Sequence, residues 1–120
     1  MPFRYERDDA NRCVIVTMEG TFDKAEGFDI LERLRLEDVG HYAVLYDLRR
    51  MTGQPTIEDM RLLRKEEVRA TEGSRGPIAV VASDPDMYSV ACTYAAIGRP
   101  QLSVGVFRDR KEAEAYLKVT

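Results

Sequence analysis

The chain has 120 residues, 44% of them hydrophobic and 32% charged, with a formal net charge of −3. That is the length of one domain with a real core, and the composition excludes wholesale disorder. The slight acidic excess excludes a strongly basic nucleic-acid binder, and two cysteines with one histidine exclude a disulfide framework and the common zinc patterns.

The opening residues carry no apolar stretch behind a basic start, so they do not read as a secretory signal. The longest apolar run, Ile78-Ala79-Val80-Val81-Ala82, is far short of the roughly 20 residues that span a bilayer. We therefore expect one domain over residues 1–120, cytoplasmic, with no membrane insertion. Cys13 and Cys92 read as buried free thiols.

Residues 3–8 alternate, with Phe3 and Tyr5 on one side and Arg4, Glu6 and Asp8 on the other. This predicts a half-exposed outer strand. Asp9-Ala10-Asn11 turns the chain, and the nearly all-apolar stretch from Cys13 to Met18 predicts a second strand covered on both faces. The two strands form a hairpin, and Gly20 ends the second.

Asp23 followed by Glu26 makes a capping-box pattern at the start of a first helix. Phe28, Ile30, Leu31 and Leu34 then recur at helical spacing. Gly27 costs about 1 kcal/mol against alanine there, which predicts loose first turns. Ala43 to Leu48, broken only by Asp47, reads as the third strand, followed by a loop through Gly53 and Pro55.

Thr56 caps the second helix, with Glu58 and Asp59 at its positive end. Ile57, Met60, Leu63 and Val68 give it a ragged apolar stripe, and its charges, Glu67 among them, cover the rest. Gly73-Ser74-Arg75-Gly76-Pro77 is a loop. Residues 78–83 form the fourth strand, the most apolar and therefore expected at the centre of the sheet.

Asp84-Pro85 opens the third helix with a capping aspartate and a proline at the first helical position. Met87, Val90, Ala91, Tyr94 and Ala95 form its apolar stripe, Tyr88 lies off that stripe, and Gly98 and Pro100 end the helix. Leu102, Val104 and Val106 alternate with Ser103, Gly105 and Phe107 in the fifth strand, whose small residues let a helix approach closely. Asp109 with Glu112 caps the last helix, which turns Ala113, Tyr116 and Leu117 inward.

The order is ββαβαβαβα. It predicts an α/β fold: a mixed five-stranded sheet, antiparallel in its first hairpin and parallel in the remainder, flanked by four helices. Ligands of such sheets favour the carboxyl ends of the strands. That rim holds the candidate ligand-binding residues Asp47, Arg49, Ser83 and Arg108, with Tyr88 nearby on the third helix.

Leu45-Tyr46-Asp47-Leu48-Arg49 resembles the phosphoacceptor strand of a response-regulator receiver domain. Ser83 and a basic residue after the fifth strand fit that pattern too. The acidic pair that would hold Mg²⁺ is not there, since the second strand ends Thr17-Met18-Glu19-Gly20. His41 sits in a loop without an orienting partner in sequence, and no nucleophile elbow is present. Cys92 falls mid-helix, where nothing lowers its thiol pKa. Asp84 and Asp109 place carboxylates at helix starts where a phosphate would bind, and no glycine-rich cradle accompanies them. Arg49, Arg50 and Arg99 read as solvated. No catalytic residue, cofactor or metal is expected.

Taken together, Gly20, Leu45-Tyr46-Asp47-Leu48-Arg49, Ala79-Val80-Val81-Ala82-Ser83 and Val106-Phe107-Arg108-Asp109 with Ala113 and Tyr116-Leu117 carry a resemblance. From Tyr5 to Leu117 the chain resembles small bacterial SpoIIAA-like proteins of the STAS and CRAL-TRIO group. The resemblance implies a helix-flanked sheet and a non-enzymatic role in protein contact or ligand sensing. Anti-sigma antagonists of that group are phosphorylated on the serine of an Asp-Ser-x-Gly stretch after the third strand. The corresponding residues here read Met51-Thr52-Gly53-Gln54-Pro55-Thr56, with Gln54 at the acceptor position, so phosphoregulation is not carried over. Lipid-transfer relatives use extra helices for which this chain is too short.

The sequence thus predicts a non-enzymatic interaction or regulatory domain that self-associates as a homodimer and binds neither nucleic acid nor membrane. The alternative is a sensor of a small anion or apolar metabolite at the strand ends. A receiver-like phosphoacceptor at Asp47 is the minor one.

Overall fold

A computed structural model describes residues 3–71, 75–98 and 103–119 of the chain. Its elements are β1 (Phe3–Asp8), β2 (Cys13–Gly20), α1 (Lys24–Leu36), β3 (Ala43–Met51), α2 (Ile57–Thr71), β4 (Ile78–Val81), α3 (Pro85–Gly98), β5 (Val104–Phe107) and α4 (Arg110–Val119). The expected order holds. Expectations placed on Gly73, Ser74, Arg99, Pro100, Leu102 and the side chain of Val68 lie outside the described residues, and Gly98 is the last residue of α3.

The strands lie in the order β1-β2-β3-β4-β5. β1 pairs antiparallel with β2, Phe3 opposite Met18 and Tyr5 opposite Val16, and the remaining pairs are parallel. β1 is the expected edge strand, with Arg4 and Glu6 exposed. The central strand is β3, not β4. All four residues of β4 are buried, but that density reports cover on both faces, not position in the sheet.

Because the parallel strands advance one place at a time, right-handed crossovers leave their helices on one face. Accordingly α1 packs on α2 and α2 on α3, while α4 covers β3, β4 and β5. Side chains alternate between the two layers: Val44 joins the core beneath the three helices, and Leu45 joins Ala79, Val81 and Ala113 beneath α4. α4 stops short of β2, so Cys13, Ile15 and Thr17 are half-buried while Val14, Val16 and Met18 are buried. The expectation that both faces of β2 are covered is corrected to one. On β5, Gly105 does admit α4 closely: a Cβ there would lie 3.1 Å from the Tyr116 ring.

All four helix caps form. Asp23 accepts from Ala25 N at 2.9 Å, Asp84 from Met87 N at 3.0 Å and Asp109 from Lys111 N at 2.7 Å. Thr56 and Asp59 cap reciprocally, Thr56 Oγ1 accepting from Asp59 N at 3.1 Å and Asp59 Oδ2 from Thr56 N at 3.4 Å. Each such cap satisfies a helix-end N–H that has no intrahelical partner.

Three local expectations change. Gly27 is not a weak point in α1 but its contact with α2: a Cβ there would lie 2.6 Å from Leu63 Cδ2. Ile57 is exposed instead of lying on the buried stripe of α2, because it occupies the first helical position beside the solvent-facing cap. Cys92 is exposed and Cys13 only half-buried, so neither is a core thiol; Cys92 lies off the α3 stripe formed by Met87, Ala91 and Ala95.

Candidate functional site

The five residues singled out at the rim form two pairs and one exposed serine. Asp47 and Arg49 are two apart on β3, so both point to the α4 face. Asp47 Oδ1 accepts from Arg49 N at 3.1 Å and Nε at 2.9 Å, and Oδ2 accepts from Nη2 at 2.8 Å. Burial pushes the Asp47 carboxyl up, but these bonds outweigh it and hold the group below the usual carboxylate range. Both carboxylate oxygens are thus engaged by one neighbour. Arg108 lies over the ring of half-buried Tyr88, Cζ 4.4 Å from the centroid, in a cation–π contact. Ser83 is exposed just beyond β4. No described hydrogen bond or ion pair joins the two pairs.

His41 is exposed, its ring edge-on to Tyr42. Among the described residues no three His, Cys, Asp or Glu side chains gather as a metal ligand set.

A second feature lies deeper. Between the sheet and helices α1, α2 and α3 is a cavity of about 100 Å³. Met18, Tyr46, Leu48 and Val80 floor it; Ile30 and Leu31 of α1, Leu63 of α2 and Ala91 of α3 are among the residues that roof it. None of the five rim residues lines it. Ala91 offers little bulk to a roof built largely of longer side chains, while at Gly27 the Leu63 side chain fills the room a Cβ would take.

The surface of this space is almost wholly apolar. Tyr46, Glu67 and Tyr94 all line it. Tyr94 donates its hydroxyl to Glu67 Oε1 at 2.5 Å, Arg75 Nε donates to Glu67 Oε2 at 3.1 Å, and Arg75 Nη2 donates to the Tyr46 hydroxyl oxygen at 3.0 Å. Arg75 Nη1 is buried without a hydrogen-bond partner. Burial pushes the Tyr46 phenol up to about 12 and the Tyr94 phenol well above its ordinary value. Burial would lower the Arg75 guanidinium, yet Tyr46, Glu67 and Tyr94 around it raise it. At neutral pH both phenols are therefore neutral and the Arg75 guanidinium is charged.

Local structure places each member. Glu67 falls seven residues after Met60 and four after Leu63, on the face of α2 turned to the sheet. It was expected among the solvated charges; it is buried, and that spacing is the signal for it. Tyr46 belongs to the helix-facing set of β3 with Val44 and Leu48. Arg75 is set by the backbone that follows it: Gly76 N donates to Gly40 O at 3.1 Å, and a Cβ on Gly76 would lie 2.3 Å from Tyr42 O. Only glycine lets these backbones approach so closely.

Neither a family model nor a curated protein matches the chain. Among the solved structures similar to it is that of the anti-sigma factor antagonist SpoIIAA in its unphosphorylated form. The two share 15% of their sequence, the match covers 98% of this chain and 97% of that one, and the TM-score is 0.63. The fold is therefore SpoIIAA-like along its length, including the antiparallel first hairpin and the four helices.

Proposed function

We propose that this protein is a non-enzymatic regulatory module of the bacterial cytoplasm, a SpoIIAA-like relative of the STAS and CRAL-TRIO group, which acts by binding proteins and associates with itself as a homodimer. The observation that carries the reading is the end-to-end fold likeness to an anti-sigma factor antagonist, a protein named for its action on another protein. The proposed contact surface is the rim at the carboxyl ends of the strands. There Arg49, Ser83 and Arg108 are exposed, with Tyr88 half-buried among them and Asp47 holding Arg49 in place. Arginine and tyrosine are the side chains that interfaces favour. The loop after β3 carries Gln54 where the antagonists carry their acceptor serine, so the contact we propose is not switched by phosphate at that position.

Sedimentation velocity tests the reading. We expect a dimer at high micromolar concentration, and Arg108→Glu should convert it to monomer. A monomeric parent protein at that concentration overturns the dimer.

A further inference from the structure

We propose that the cavity beneath helices α1, α2 and α3 binds a small uncharged molecule that carries no hydrogen-bonding group, a hydrocarbon-like guest of about the size of a benzene ring. The site is separate from the rim proposed for protein contact, since Asp47, Arg49, Ser83, Tyr88 and Arg108 do not line it.

Surface chemistry sets the class of guest. The lining is almost wholly apolar. Tyr46, Glu67 and Tyr94 belong to it, but Tyr94 and Arg75 both donate to Glu67, and Arg75 also donates to Tyr46. What these side chains turn to the space is therefore chiefly carbon. A guest with a charge or a hydrogen-bonding group would leave water without gaining a partner here, which is unfavourable. A hydrocarbon gives up no such bonds, and its removal from water favours entry.

Volume sets the size. An apolar cavity of roughly 150 Å³ stays dry and accepts a benzene molecule. The space here is about 100 Å³, and Met18, Met51 and Met60 on its wall are unbranched side chains able to shift and admit a ring. Water does not compete well for such a space, because a buried water needs several polar partners. Without a guest the lining lacks dispersion contacts on its open side, and a guest supplies them. The approach lies at the strand ends, where Phe22 after β2 and Met51 and Pro55 at and beyond the end of β3 are half-buried and line the cavity.

Methyl NMR of the full chain labelled at the methionine Cε tests the proposal with benzene and pyridine as probes, at mildly alkaline pH, where pyridine is uncharged. Met18, Met51 and Met60 line the cavity and Met87 does not, so each signal reports on position. We expect benzene to shift the first three saturably, with a dissociation constant on the order of 1 mM or tighter, and to leave Met87 unmoved. Pyridine has nearly the same shape, but its ring nitrogen accepts hydrogen bonds from water that the cavity does not replace. It should bind at least about tenfold more weakly. Ala91→Leu adds bulk to the lining and should weaken benzene at least about tenfold. The proposal is overturned if no methyl moves by about 10 mM benzene, if Met87 moves with the rest, if pyridine binds as tightly as benzene, or if folded Ala91→Leu binds benzene unchanged. The probe comparison needs only the parent protein, so it decides the matter even if the variant fails to fold.

Discussion

Arg75 Nε lies 3.1 Å from Glu67 Oε2, with the two side chains 1% and 3% exposed. Charges so fully removed from water depend on each other, because neither has solvent to fall back on. Arg75→Met should therefore cost about 3–5 kcal/mol in urea unfolding, by leaving the carboxylate buried without the Arg75 guanidinium. Adding Glu67→Leu should recover a large part of that loss, leaving mainly the cost of an unmet Tyr94 hydroxyl, about 1–3 kcal/mol. If the double variant is as unstable as the two single losses summed, the pair is not coupled and this account of the cluster is wrong.

The same burial fixes an alkaline limit. Tyr46 titrates at about 12 in the folded chain, above its ordinary value of 10.0, first through burial. A group raised in this way contributes stability that is complete below pH 10 and is lost as pH rises through 12. Tyr94 is raised further for the same reason, and Tyr5 is raised to about 12 by burial and by Glu37. Stability measured by urea unfolding should accordingly decline from pH 10 upward. Tyr46→Phe should make that decline shallower while lowering stability at pH 7, since Arg75 loses an acceptor. An equally steep decline in the variant removes Tyr46 from the explanation.

The parts of this fold legible in the sequence were those set by local chemistry. Asp23, Thr56, Asp84 and Asp109 are caps because a short acceptor side chain before a helix finds a free N–H wherever it occurs. The edge position of β1 followed from Arg4 and Glu6, which no buried strand face accepts. Glu67 was misplaced because charge suggested solvent more strongly than its spacing from Met60 and Leu63 suggested the core. Its partners Arg75, Tyr46 and Tyr94 stand 8, 21 and 27 positions away, and no periodicity links them. The cavity was out of reach for the same reason: it is a deficit of volume among three helices. Asp47, Arg49, Tyr88 and Arg108 are each legible at the rim, but the pairing of Asp47 with Arg49 and of Tyr88 with Arg108 depends on side-chain geometry that no sequence pattern carries.

Two glycines should respond oppositely to alanine. At Gly27 the new methyl would meet Leu63 Cδ2 at 2.6 Å, the far end of a flexible side chain that borders the cavity. Leu63 has room to turn away, and alanine gains about 1 kcal/mol of helix propensity. Gly27→Ala should thus leave the melting temperature unchanged or raise it. At Gly76 the methyl would meet carbonyl oxygens of His41 and Tyr42 at 2.4 and 2.3 Å, and backbone cannot rotate aside. Gly76→Ala should cost about 1–3 kcal/mol or more, and it should disturb Arg75, the residue just before it in the chain. Equal effects at the two positions would mean that the close approach at Gly76 is not rigid.

Asp84 separates structure from contact at the rim. Its Oδ2 accepts from Met87 N at 3.0 Å, and Pro85 follows it at the first position of α3. Asp84→Ala removes that acceptor, so unfolding should show a loss of about 0.5–2 kcal/mol. Neighbouring Ser83 is exposed and caps nothing, so Ser83→Ala should stay within about 0.5 kcal/mol of the parent. Self-association measured in parallel should survive Asp84→Ala at temperatures where the variant remains folded, because the carboxylate is spent on the helix end. Loss of association with unchanged stability would instead place Asp84 in the contact itself, with α3 starting as well without its cap as with it.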